Sequence, residues 1–337
     1  MREGQDMRFA PQRVADGITL LDLGFQGQPG AIGAYVVEGN GGLALVETGP
    51  TSTRVNLERG LAEIGASLND VTRLIPTHIH LDHAGAVGSL LRDYPHMRVS
   101  LYPTGAPFLT DPERLVKSAG RLYGDAMDRL WGDVVGFDPD RVDLVDDGDR
   151  IDLGGRTLLA RHTPGHAGNH LSFFDDRTDT LFTGDAAGGR IAPLSWVLPT
   201  VSPPEIDFDL WRGTVETLRS LDAARLAVTH FGVFDDVGAH LDQVVANGED
   251  ELSAVRQGLA TGGSEDEVTA ILLDRERAVI AQERGGEDAE LLARMELAMP
   301  TWLATLGLQR VLKKRGELPG LEQGGEPRGF ALRTTGF

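Results

Sequence analysis

The sequence predicts a layered α/β core followed by a mostly helical extension, and three observations carry that prediction. From about Gly17 to residue 232, short apolar and β-branched runs alternate with stretches at helical spacing. Histidines and aspartates with metal chemistry fall where the strand-like runs end. Beyond about Asp235 the chain becomes charged and helical, with no convincing strand.

In chain order, AIGAYVVEGNGGLALVETG reads as a hairpin, with Asn40-Gly41 supplying the positive φ angles of a tight turn. NLERGLAEIG has a helical pattern, and TRLIPT is a short strand ending at the first histidines. The helical stretch AVGSLLRDYP then leads to the strand MRVSLY. Residues 104–136 interrupt this rhythm and read as two short helices rich in large apolar side chains. Strands resume through RVDLVDDGDRIDLGGRTLLARHTPGH, LSFFDD, TLFTGD and LAVTHFG. In DAELLARMELAMPTWLATLGLQRVLKKRG the apolar residues recur at helical spacing, and Pro300 is expected to start or kink a turn. The expected division is a core over 1–234, with the helical insertion at about 104–136, a helical extension over 235–316 and a Gly/Pro-rich tail over 317–337.

Composition narrows the function. The 337 residues suffice for a full core. Lys and Arg number 32 against 51 Asp and Glu, a net charge of −19 that disfavours nucleic acid as the main partner. Cysteine is absent, which excludes disulfides, thiolate ligands and a cysteine nucleophile. The opening MREGQDMRFAPQRVADG lacks the apolar stretch of a signal peptide, and no window is apolar enough for a membrane span. A cytoplasmic location is therefore expected.

The chemistry concentrates in PTHIHLDHAGAVG, where three of the nine histidines and an aspartate fall within six positions. His78 and His80 lie two apart in extended backbone, so both imidazoles can face one metal ion. Asp82 and His83 sit where a helix should begin and project differently, which suits two metals side by side better than one. Imidazole and carboxylate are the N and O ligands that zinc, manganese and iron accept. Downstream, His166 follows a Thr-Pro-Gly turn, Asp185 ends TLFTGD behind Gly184, and His230 ends LAVTHFG. Five histidines and two aspartates thus fill two three-residue ligand sets and one bridge.

The order HIHLDH, TPGH, TGD and a strand-end histidine resembles the metallo-β-lactamase superfamily of metal-dependent hydrolases, over roughly residues 17–235. The resemblance implies a four-layer αββα sandwich with the site on one edge between two sheets. It implies that His78, His80 and His166 hold one divalent ion, that Asp82, His83 and His230 hold a second, and that Asp185 bridges them. Zinc is the first expectation, with Mn2+ or Fe2+ as alternatives. His80 stands where the flavodiiron branch carries Glu, which argues against electron-transfer chemistry. Glu47-Thr48-Gly49 replaces the more usual Asp-Thr-Gly, so the loop beneath the site is expected to be arranged differently. Gly188 occupies the position of a tyrosine in homoserine-lactone hydrolases, which weakens that particular reading.

Two such cations would supply a hydroxide nucleophile and polarise a substrate oxygen, so no Ser-His-Asp triad is needed. Asp82 is expected to hold the attacking water as well as to ligate, making it the catalytic residue. Thr77, His162 and His170 are candidates to orient the imidazoles; His96 and His240 read as ordinary surface or helix-face residues. Phe108, Leu115, Tyr123, Met127 and Trp131 of the insertion, with Trp196, are expected to form an apolar lid over a small-molecule substrate. Arg190 is read as solvated in preference to substrate-binding. The function expected is hydrolysis of an ester, thioester, lactone or related bond. A phosphodiesterase or nuclease, and a mononuclear-iron persulfide dioxygenase, are the alternatives. The extension is expected to pack across the core and to offer a homodimer contact.

Overall fold

The computed structural model describes residues 9–318. The first sheet holds seven strands in chain order: β1 (Gln12–Ala15), β2 (Ile18–Asp22), β3 (Gly33–Gly39), β4 (Gly42–Val46), β5 (Val71–Ile75), β6 (Arg98–Leu101) and β7 (Val142–Leu144). The second holds β8 (Arg150–Asp152), β9 (Thr157–His162), β10 (Leu171–Asp175), β11 (Thr180–Gly184), β12 (Arg225–Val228) and β13 (Gly232–Phe234), also in sequential order. Hairpins make the antiparallel pairs. The parallel pairs β4–β5, β5–β6, β6–β7 and β11–β12 need helical crossovers. Those crossovers are, in the same order, α1 (Arg54–Glu63), the α2 (Leu81–Ala84) and α3 (Val87–Asp93) pair, the insertion helices α4 (Ala106–Thr110), α5 (Glu113–Tyr123) and α6 (Met127–Trp131), and α7 (Phe208–Arg219). The extension consists of α8 (Val237–Ala260), α9 (Glu265–Arg284), α10 (Ala289–Ala298) and α11 (Thr301–Lys314).

Strand periodicity builds the layers. Leu20, Tyr35, Val37, Ala44, Val46 and Ile75 point inward and meet Leu158, Ala160, Phe173, Phe182 and Ala227 of the second sheet. Their alternates Leu21, Val36, Leu45 and Leu74 point outward against Leu57 and Leu61 of α1 and Leu90 of α3. On the opposite face, Leu181, Leu226 and Val228 pack under Phe208, Trp211 and Leu218 of α7 and Leu241 and Val244 of α8. Two helical layers thus enclose two sheets, the four-layer αββα sandwich.

The extension follows the capping signals of its sequence. α9 starts with a Ser264/Glu267 capping box and ends at Gly285 in the left-handed region. Pro300 sits at the N-cap of α11 and starts that helix. No helix among the described residues is long and apolar enough to cross a membrane.

Two expectations change, and a third falls outside the described residues. The insertion forms three helices, because Gly124 (φ +49°) breaks the run after Tyr123. The β3–β4 turn does contain Asn40-Gly41, but the positive φ falls on Gly42 (+117°). The Asn40 and Gly41 amides donate to the Gly154 and Leu153 carbonyls of the second sheet, so tertiary bonds set the turn. The Gly/Pro-rich tail lies outside the described residues beyond 318.

Candidate metal centre

The two sheets deliver seven side chains to one edge. His78 and His80 follow β5, Asp82 and His83 occupy the first turn of α2, His166 follows β9, Asp185 follows β11, and His230 follows β12. Gly184 is needed at the last turn of β11, where φ is +48° and a Cβ would collide with Thr77 Oγ1 and His170 Nε2. His78, His80, His166 and Asp185 converge as one group and Asp82, His83 and His230 as another, with ligand atoms within 4.8 Å inside each.

In the first group, His78 Nε2 lies 2.8 Å from His80 Nδ1 and 3.2 Å from His166 Nε2, and His166 Nε2 lies 2.9 Å from His80 Nδ1. Three mutually facing ring nitrogens cannot all be hydrogen-bonded to one another. Tetrahedral zinc–nitrogen bonds would space such atoms roughly 3.3 Å apart, close to what is seen. In the second group, Asp82 Oδ2 stands 3.4 Å from His83 Nε2 and 3.3 Å from His230 Nε2. Asp185 faces both: Oδ2 is 3.1 Å from His166 Nε2, and Oδ1 is 3.5 Å from both His83 and His230. His83 Nε2, His230 Nε2 and Asp185 Oδ1 are buried without a hydrogen-bond partner. Orphaned N and O donors aimed at common points fit a pair of divalent cations.

The opposite edges of the rings are tied down, which leaves the facing nitrogens free to ligate. His166 Nδ1 donates to the Thr200 carbonyl at 2.6 Å and His230 Nδ1 to the Ala31 carbonyl at 2.7 Å. His78 Nδ1 lies 3.1 Å from Thr77 Oγ1 and His83 Nδ1 2.9 Å from Glu47 Oε1. Burial, with the neighbouring imidazoles, holds His78 well below the ordinary histidine range and His80 at about 3. Burial alone would raise Asp82 and Asp185, but the imidazoles around them hold both carboxyls below the usual carboxylate range.

Glu47 is the functional residue that sequence reasoning missed. It is buried at φ +67°, a conformation uncommon for a side chain of its kind. Its carboxylate accepts from Thr77 Oγ1 (2.7 Å), the Thr77 amide (3.1 Å), His83 Nδ1 (2.9 Å) and Thr229 Oγ1 (3.0 Å). One carboxylate thus locks the segments carrying His78, His83 and His230. The Glu-Thr-Gly sequence marked the position, but its partners lie up to 182 residues away.

The other candidates divide. Thr77 orients His78, whereas His170 serves the bridge: its Nε2 accepts the Asp185 amide at 3.2 Å while its Nδ1 meets Thr163 Oγ1. His162 orients no imidazole; it stacks on Tyr102 at 4.3 Å and bonds the Gly168 carbonyl. His96 is exposed, but His240 is fully buried on α8 and bonds the Ala187 carbonyl at 2.8 Å. Arg190 is mostly covered, 12% exposed: it holds Asp236 with two 2.8 Å bonds, lies over Phe234 and does not line the cavity. A Cβ at Gly188 would collide with the Leu198 carbonyl, so no side chain fits there.

A cavity of about 1640 Å³ opens from His80, Asp82, Asp185 and His230. Phe108, Leu115, Tyr123 and Trp131 line it, while Met127 packs into the core cluster instead. Trp196 does not line it: the loop after Asp185 folds beneath the extension, and Trp196 packs with Ile191, Leu194, Ile280 and Leu291. The unexpected wall is the extension itself, through residues from Ala289 to Leu303. Aromatic rings join the two sides: Phe25 stacks on Trp131 (5.5 Å), and Tyr123 meets Trp131 (5.0 Å) and Trp302 (5.8 Å) edge-on.

A sandwich whose sheets converge on two His/Asp clusters sharing one aspartate defines the class of metallo-β-lactamase-fold proteins. The family model of the metallo-beta-lactamase superfamily matches residues 27–230, and the chain belongs to that superfamily. A metallo-beta-lactamase fold-containing protein, ST1585, from Sulfurisphaera tokodaii is 30% identical over 57% of this chain and 74% of its own. An atrochrysone carboxyl ACP thioesterase of Aspergillus fumigatus is 25% identical over 59% of this chain, which spans only 39% of that protein. Among solved structures, the metallo-beta-lactamase family protein TTHA1429 of Thermus thermophilus aligns with TM-score 0.64 at 23% identity, covering 94% of this chain and 98% of its own. That coverage takes in the helical extension, so its fold is shared too.

Proposed function

We propose that this protein is a binuclear metal-dependent hydrolase of small acyl compounds, cleaving an ester, thioester, lactone or related bond, with thioesters first. One observation carries the reading: two His/Asp clusters sharing Asp185 open onto a large cavity walled by aromatic and aliphatic side chains. Its volume exceeds the roughly 300–1,000 Å³ of ordinary small-molecule pockets, which suits a bulky acyl group. The thioesterase relative supports the same bond class.

Two divalent ions, zinc first and manganese or iron as alternatives, would supply an activated water and polarise the scissile carbonyl. His78, His80 and His166 would hold one, Asp82, His83 and His230 the other, and Asp185 would give an oxygen to each. Asp82 turns Oδ2 to the imidazoles and is about one-fifth exposed toward the cavity. Its second oxygen would accept a hydrogen bond from the attacking water and pass the proton on. Glu47 and Thr77 keep the imidazoles from turning, and the aromatic wall holds the acyl group and excludes water.

The two orphaned nitrogens of the second cluster, His83 Nε2 and His230 Nε2, with Asp185 Oδ1 turned toward them, weigh against a mononuclear-iron oxygenase, which would need only the first. The phosphodiesterase alternative draws on Arg114, Arg129 and Arg294 in the cavity wall. One N–H of Arg129 is engaged by Gln26 and one of Arg294 by the Ala192 carbonyl, which weakens an anion site there, although Arg294 Nε keeps no partner. The net charge of −19 also opposes polyanions, and a small molecule in the cytoplasm, with no nucleic acid or membrane partner, is the substrate setting we assign. Activated esters and thioesters should be hydrolysed, with activity lost on chelation and restored by metal. Cleavage of a bis-aryl phosphodiester far exceeding any ester at matched concentration would overturn the assignment.

A further inference from the structure

Tyr123 ends α5, and its ring is wedged edge-on between Trp131 of the insertion and Trp302 of the extension. It lines the same cavity as His80, Asp82, Asp185 and His230. Asp82 is the charged group whose field reaches the phenol, and no hydrogen bond to another described residue engages the hydroxyl. Burial and that neighbouring charge keep the proton on the oxygen, so the group is a donor. The ring is thus fixed by packing, and its hydroxyl is left without a described partner in the cavity that Asp82 also lines.

Acyl hydrolysis needs a donor in that place. Hydroxide adds to the carbonyl carbon, and the C–O or C–S bond then breaks, its electron pair leaving on oxygen or sulfur. Asp185 and, until it has taken the attacking water's proton, Asp82 can only accept hydrogen bonds, and the imidazole nitrogens face the cation sites. We infer that Tyr123 is a catalytic residue whose hydroxyl donates a hydrogen bond to the departing oxygen or sulfur as the acyl bond breaks. The leaving group takes its proton finally from the water consumed in hydrolysis, so the phenol ends each turnover unchanged. This inference rests on the acyl-hydrolase reading.

The test uses the full chain loaded with metal and compares wild type with Tyr123→Phe, which keeps the ring between the two tryptophans. Across acetate esters whose leaving phenols or alcohols span a wide pKa range, the substitution should lower kcat/KM about 10- to 100-fold for the poorest leaving groups and little for p-nitrophenolate. Metal content should stay the same. In calorimetry an arylthiolate product should bind the variant about 10-fold more weakly, while the corresponding thioether binds both proteins equally. A variant equal to wild type, or one slowed by the same factor with every leaving group, would overturn the role of Tyr123 and leave the hydrolase reading standing. Wild-type protein that hydrolyses none of the series, with or without metal, would overturn both.

Discussion

Glu47 shows how much of a metal site can rest on one side chain that touches no metal. It collects bonds from Thr77, His83 and Thr229 in a buried, left-handed turn. Glu47→Ala would leave those donors buried and unpaired, at about 1–3 kcal/mol in stability, and would free the His83 ring. Metal affinity measured by chelator competition should fall about 10- to 100-fold. Affinity equal to wild type would show that the rings are held without it. At the bridge, Asp185→Asn should lower occupancy of both sites, and a variant with full metal and full turnover would refute bridging. All seven cluster residues could be read from the sequence, because each follows a strand and the strand ends converge. Glu47, Arg190 and His240 could not: their roles depend on partners from distant segments that local patterning does not encode.

Among elements, the insertion and the extension act together. Strand and helix periodicity located both, but not the fact that α10 and α11 close the cavity opposite α5 and α6. The apolar stripe of those helices says only that they pack, and Trp196 shows the same ambiguity from the other side. Trp131 joins Phe25 and Tyr123 in the wall, so Trp131→Ala should shift the preferred acyl size in a substrate panel while leaving metal content unchanged. An unchanged size profile would place the acyl group elsewhere.

The extension also buries Glu251 of α8 and Glu276 of α9, with Glu296 of α10 half-buried. Burial pushes Glu251 up to about 8 and raises the other two. The folded state therefore holds protons that the unfolded chain releases near the ordinary glutamate range. The associated stability is full below that range and is lost as pH rises toward about 8. Glu251→Gln should raise Tm by about 3 °C or more at pH 9 and by less at pH 5. An equal effect at both pH values would contradict the assignment.

For the whole molecule, a layered α/β core could be read from alternating strands and helices and the four-layer sandwich from the family resemblance of the His/Asp motifs, whereas the cavity could not, since it forms only where the core, insertion and extension meet. Truncation at about residue 236 should remove α8 with Leu241 and Val244, bare the apolar surface they cover at Leu226 and Val228, and remove one cavity wall, giving an aggregating product. A soluble, fully active truncation would make the extension dispensable. The account as a whole turns on the paired cation site. Elemental analysis of protein purified after metal-replete expression should return close to two divalent ions per chain, most of them zinc. One ion per chain, or none, would contradict the binuclear centre on which the proposed chemistry depends.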